Sequence, residues 1–229
     1  MAEFFEDLLN FLTSLKDGVL YYLPGSGRPD RVLQFVAGHL LITFITLFFA
    51  IIIGVVLGVL ITRKRGLYTP IITTAGIIYT IPSLALFGIM IPIVGIGFTP
   101  AVIALTLYSL LAIIRNTAVG LDGVDEAIIE AARGMGMTNM QILTRVELPL
   151  ALPVIFAGVR IAAVSTISLA TLASFFGAKS LGSLIFEGIA AGGLRNDKVA
   201  AGALGAAALA IIFDQGIGRI ENKLRRGSV

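Results

Sequence analysis

The sequence predicts an all-α integral membrane protein with about five transmembrane helices. Three observations point there. Of the 229 residues 57% are apolar and only 14% charged, whereas a soluble domain carries roughly a quarter charged residues. The mean hydropathy is +0.97. Several charge-free runs reach the ~20 residues that a helix needs to cross a ~30 Å hydrocarbon layer. The chain has no cysteine, so neither a disulfide framework nor a thiolate metal site can be built. The net charge of +3 does not point to nucleic acid, because the basic residues cluster beside apolar runs, where they set membrane orientation.

Leu40 to Ile61 contains no charge, and the Arg63-Lys64-Arg65 triplet that follows marks the cytoplasmic side of this first span. Gly66 to Ile114 is also uncharged, too long for one crossing and right for two. Pro92 to Pro100, with Gly95 and Gly97 between, supplies the turn, giving spans of about Leu67–Ile91 and Thr99–Ile114. Pro82 removes a backbone hydrogen bond inside the Leu67–Ile91 span and bends or breaks it, as in helices that line cavities. Arg115 returns the chain to the cytoplasm. The fourth span runs from about Pro153 to Phe175, with Arg160 snorkelling from its inner end and Lys179 at its outer end. Ser180–Leu194, Gly-rich and bearing Glu187, reads as a short helix at the outer surface. The last span, about Val199–Ile217, is rich in Ala and Gly and is expected to be buried against its neighbours.

This reading places eleven of the 17 Lys and Arg on the cytoplasmic side. Residues 1–33 form an amino-terminal peripheral segment on the periplasmic or extracellular side, and residues 34–226 the transmembrane domain. Met1 to Leu23, broken by Glu6, Asp7, Lys16 and Asp17, lacks the basic start and clean apolar run of a cleavable signal peptide. It suits an amphipathic helix with Phe4, Phe5, Leu8, Leu9 and Leu12 toward lipid; a sixth crossing is the alternative.

Residues 115–148 are the one long charged stretch between spans. From Asp125 to Arg133 good helix formers follow an acidic start that complements the helix dipole. Gly134 and Gly136 can take the left-handed conformation that ends a helix. Thr138 with Gln141 fits a capping box that opens a second helix, which Pro149 limits. The product is a helix, a glycine turn and a helix on the cytoplasmic side.

Within it, Glu130-Ala131-Ala132, three residues, Gly136, nine residues, Val146, one residue and Leu148-Pro149 resemble the EAA loop of binding-protein-dependent ABC importer permeases, with Val146 where Ile is usual. The resemblance implies the MetI-like arrangement of spans and a coupling helix, carried by Glu130, Ala131, Ala132, Gly136, Leu148 and Pro149, that docks on a cytoplasmic ABC ATPase dimer. It also implies a second permease copy or homologous permease, a multi-pass place in a prokaryotic cytoplasmic (inner) membrane, and no cofactor on this chain, with ATP and Mg on the partner ATPase. Gly134-Met135-Gly136 lacks the strand-turn-helix context of a nucleotide fingerprint, and no GxxxxGK[ST] occurs.

Tyr79 to Leu86, Ile113 to Thr117 and Ser174 to Ala178 resemble permeases for osmoprotectants such as glycine betaine, carnitine and choline, over about Gly38 to Leu224. Because the chain ends just after its last span, a separate solute-binding protein is expected. Aromatic faces attract quaternary ammonium groups, which makes Tyr79, Phe87, Tyr108, Phe175 and Phe176, with Pro82 and Ser83 at the break, candidates for the substrate pathway; filling gaps between helices or facing lipid is the plainer role. His39, the only histidine, suits an interfacial or packing place, and Asp214 a pairing with Arg219 or another group at that end. Permeases for an amino acid or sulfonate share parts of these motifs. An intramembrane enzyme would need a convergent nucleophile, base or metal set that the spans lack, and a membrane scaffold would not need the coupling loop.

Overall fold

The computed structural model describes residues 2–20, 29–192 and 195–227, which form ten α-helices and no strand. In chain order these are α1 (Ala2–Leu20), α2 (Pro29–Arg63), α3 (Tyr68–Thr80), α4 (Ser83–Val94), α5 (Phe98–Asp122), α6 (Glu126–Gly134), α7 (Asn139–Ile142), α8 (Leu148–Ala173), α9 (Gly182–Ala190) and α10 (Asn196–Gly227). Among the described residues four, α2, α5, α8 and α10, are long and apolar enough to cross a membrane, and the bent pair α3 and α4 makes a fifth if it is one broken span and not a re-entrant loop. On α2, Phe44, Phe48, Ile52 and Val56 recur every four residues and are all exposed, a stripe suited to lipid. Helix α1 exposes Leu9 and Leu12; the side chains of Phe4, Phe5 and Leu8 lie outside the described residues, as do residues 193 and 194 of the Ser180–Leu194 segment.

The helices outrun the apolar stretches because a charge ends a hydrophobic run without ending a helix. Pro29, at the first position of α2, needs no N–H partner there and starts the helix within the segment expected to be peripheral. Helix α5 continues through Arg115 to Asp122 rather than stopping near Ile114. Helix α3 stops at Thr80 because Pro82 forces Ile81 into the extended region, at φ −64° and ψ 129°. The turn between α4 and α5 is confined to residues 95–97, where Gly95 and Gly97 take positive φ.

Pro149 does not limit a helix. A five-residue π turn, Leu143–Glu147, joins α7 to α8 without interruption, and Pro149 falls in the first turn of α8. The wider turn shifts the hydrogen-bond register just where proline has no N–H to give and would press on the carbonyl four residues back.

The chain divides into two compact units. The first comprises Met1–Ile45, Ser83–Leu105 and Thr166–Ile211. Its core is Leu181, Leu184, Ala201 and Ala206, joined by Phe35, Val36 and Leu209. The Ser180 hydroxyl donates to the Ala170 carbonyl at 2.8 Å and accepts the Gly182 N–H at 3.1 Å, which fastens the start of α9 to α8. Glu187 pairs with Lys198 at 2.7 Å. His39 is fully buried beside the Ile167 backbone, a packing role.

The second unit comprises Thr46–Pro82, Thr106–Ser165 and Ile212–Val229. Leu47, Ala50, Ile113, Val159, Ala162 and Ala163 form one core cluster. Helices α2 and α5 close to backbone distance at Gly58, where a Cβ would sit 2.4 Å from that of Thr117. Helix α10 departs from expectation: Ala201 and Ala206 are buried, yet only 11% of its most apolar stretch is buried in this chain. Small residues permit close approach without determining what approaches.

Candidate coupling and solute-pathway sites

The helix pair α6 and α7 is built by its caps. Asp125 accepts the Ala127 N–H at 2.9 Å and starts α6. At the other end Gly136 has φ +79°, its N–H donates to the Arg133 carbonyl at 2.9 Å, and the Met137 N–H donates to the Ala132 carbonyl at 3.2 Å. This is a Schellman ending with glycine at the left-handed position; Gly134, by contrast, remains helical. Thr138 and Gln141 then exchange the two hydrogen bonds of a capping box, 3.3 Å and 2.8 Å, and open α7. Glu130, Ala131, Gly136 and Pro149 are exposed, Leu148 is half-buried, and Ala132 is buried.

Two residues of the Arg63-Lys64-Arg65 triplet hold this segment at both ends. Arg65 makes a two-pronged ion pair with Asp122, at 2.8 Å and 2.9 Å, just before α6. Arg63 pairs with Glu147, the last residue of the π turn, whose side chain is only 6% exposed. Sequence reasoning read the triplet as an orientation signal and missed this bracing, since nothing in a sequence says which carboxylate lies opposite. It also missed Ile128, Met135 and Met140, large apolar side chains that are exposed on α6, the turn and α7. Their signal was there: apolar residues, two of them adaptable methionines, stand within a charged segment.

The candidate pathway residues fall into two groups. In the second unit the Tyr108 hydroxyl donates to the Ile81 carbonyl at the break that Pro82 creates, so the buried Tyr108 caps the broken helix. Tyr79 meets it edge-on at 5.9 Å and is 51% exposed. In the first unit Phe87 is fully buried against Phe176, and Phe175 is exposed and touches Phe176 at 5.3 Å and Phe186 at 5.4 Å. Phe186, absent from the sequence-based set, completes this cluster; Ser83 opens α4, half-buried.

Asp214 pairs with Arg160 of α8, at 2.6 Å and 2.7 Å, rather than with Arg219. Glu221 stands 3.6 Å from the same guanidinium.

Membrane-spanning helices that carry a capped, glycine-turned helix pair define a transport subunit of the importer type, not a soluble domain. The chain belongs to the family of binding-protein-dependent transport system inner membrane components, which its residues 50–226 match. It is 41% identical over 186 residues to the carnitine transport permease protein OpuCB of Listeria monocytogenes, covering 81% of this chain and 84% of that one. It is 47% identical over 188 residues to the osmoprotectant import permease protein OsmW of Salmonella typhimurium strain LT2, covering 80% and 86%. Among solved structures it is similar to an inward-facing MetNI methionine ABC transporter, with a TM-score of 0.77 and 27% identity over 88% of this chain and 99% of that one. The chain is thus a multi-pass cytoplasmic-membrane permease with the MetI-like arrangement of helices.

Proposed function

We propose that this permease imports quaternary-ammonium osmoprotectants such as glycine betaine, carnitine or choline. The observation that carries the reading is identity above 40%, over four-fifths of the chain, to permeases named for carnitine and for osmoprotectants. The exposed ring of Tyr79 and the Phe175 cluster add aromatic faces, each able to stabilise such an ammonium by roughly 0.5–2 kcal/mol, weak enough for a route that must also release its cargo. In this reading a cytoplasmic ATPase dimer, which carries the ATP and Mg and performs the hydrolysis, docks on α6, the Gly136 turn and α7. A second permease copy or homologous permease completes the route, and a separate solute-binding protein delivers the cargo. Residues 63–65, residues 115–148 and the carboxy-terminal end lie on the cytoplasmic side, and the amino-terminal segment on the other.

The test is ATP-dependent uptake of radiolabelled glycine betaine, carnitine and choline into proteoliposomes holding the complex with its own binding protein, against methionine and a sulfonate. Uptake of the quaternary ammonium compounds is expected. Uptake of the controls alone would reject the substrate class.

A further inference from the structure

The charges at the inner end of α10 are sorted by face. Asp214, Gly218 and Glu221 share one face at the i, i+4, i+7 spacing of a helix, and it is turned toward Arg160 of α8. Gly218 leaves room for the guanidinium, since a Cβ there would come within 3.2 Å of its Cζ. Arg225 follows Glu221 by four residues and belongs to that same face. The opposite face carries Arg219, Lys223 and Arg226, again at i, i+4, i+7, and all three are exposed. Asp214 and Glu221 are the only acidic residues between Ile212 and Gly227, so the outward face bears bases and no acid.

Two features turn this face toward lipid. Ile212, 62% exposed, stands in line with it two turns before Arg219, in the apolar stretch of which only 11% is buried. Gln215, exposed between them, marks the step from apolar to basic surface, the order in which a bilayer passes from hydrocarbon to headgroup. The second feature is direction. Cβ atoms tilt toward a helix's N-terminus, and α10 comes from the outer side, so the side chains of Arg219, Lys223 and Arg226 lean back toward the bilayer as the helix leaves it. Their apolar stems can lie along the helix while the charged heads reach phosphate oxygens. We propose that Arg219, Lys223 and Arg226 form a headgroup site for an anionic phospholipid of the cytoplasmic leaflet, with its acyl chains along Ile212. The site pins the inner end of α10 to that leaflet. Each base near such a surface enriches anionic lipid roughly fivefold.

The natural absence of cysteine permits a single fluorophore at Asn222→Cys, exposed on this face, in the complex with its ATPase. Reconstituted into symmetric vesicles, its readout depends on neither orientation nor solute. Brominated phosphatidylglycerol should quench it at least about fivefold more effectively than brominated phosphatidylcholine at equal mole fraction. About 1 M salt should remove most of that preference, because the screening length falls to ~3 Å. A fluorophore at Ile52→Cys, exposed in the apolar run of α2, should be quenched equally by both lipids. Adding Arg219→Gln, Lys223→Gln and Arg226→Gln should bring the two lipids level at Asn222→Cys, whereas Arg219→Lys with Arg226→Lys, which keeps the charge and the inward signal for insertion, should preserve the preference. Three results would each overturn the site. Quenching by neither lipid would put a protein partner on this face. Equal quenching with all three bases in place would leave only a solvated basic end. Loss of the preference on adding inorganic phosphate at constant ionic strength would assign the bases to a soluble phosphate.

Discussion

Replacing Arg63 by Gln strips the buried Glu147 carboxylate of its counter-charge while leaving a side chain that can still donate a hydrogen bond. Breaking a buried ion pair from one side costs about 3–5 kcal/mol. Glu147, 6% exposed, meets that condition, but Arg63 is 44% exposed and solvent screens its share. The expected loss is therefore ~2 kcal/mol, about 30-fold in the equilibrium between the seated and unseated π turn. The change loosens the joint between the α6 and α7 pair and α8, so ATP hydrolysis should continue while solute imported per ATP falls at least roughly threefold. The assay is paired measurement of uptake and phosphate release in proteoliposomes, with the abundance of inserted permease as control. Arg65→Gln is the internal standard: its pair with Asp122 is 65% and 36% exposed and screened by solvent, so its loss should leave the ratio nearly unchanged. Normal coupling in Arg63→Gln at normal abundance, or equal losses in both variants, would refute the bracing argument.

Two further outcomes are expected. Tyr108→Phe removes the hydroxyl that caps the Ile81 carbonyl at the Pro82 break and should destabilise the detergent-solubilised permease by about 1–2 kcal/mol, read as a lowered melting temperature; an unchanged one would mean that water satisfies the carbonyl equally well. A single cysteine at Lys64 should resist an impermeant thiol reagent in intact cells and react in inside-out vesicles, and labelling from outside would reverse the orientation read from the Lys and Arg distribution.

What the sequence made legible follows from interactions that are local in the chain. The Gly136 turn and the Thr138–Gln141 box each join residues within a few positions and form as their spacing predicts, and the equally local acidic start at Asp125 proves to be an N-cap as well as a favourable charge. The break at Pro82 is equally local, since proline restricts only its own backbone and that of Ile81. Pairings between distant segments were not legible. Glu147 and Asp122 find the Arg63–Arg65 triplet, and Asp214, expected to pair with Arg219 or another group at that end, takes Arg160 of α8, because helix packing sets these distances. The π turn before Pro149 also escaped, as proline alone signals an ending and does not reveal a register shift that relieves it. The small residues of α10 indicated a close neighbour but could not say that most of its apolar stretch would stay uncovered in this chain.

The coupling role of α6 and α7 is tested most directly at Gly136. No atom of this chain lies within 4 Å of where a Cβ would stand, so within the permease Gly136→Val acts through the backbone, where φ +79° strains a β-branched residue by about 1–2 kcal/mol or more. The measurement is solute imported per ATP hydrolysed by the complete complex carrying this substitution. Continued hydrolysis with import reduced severalfold, at normal permease abundance, is the predicted result. Import per ATP equal to that of the unaltered complex would contradict the assignment of this turn to coupling.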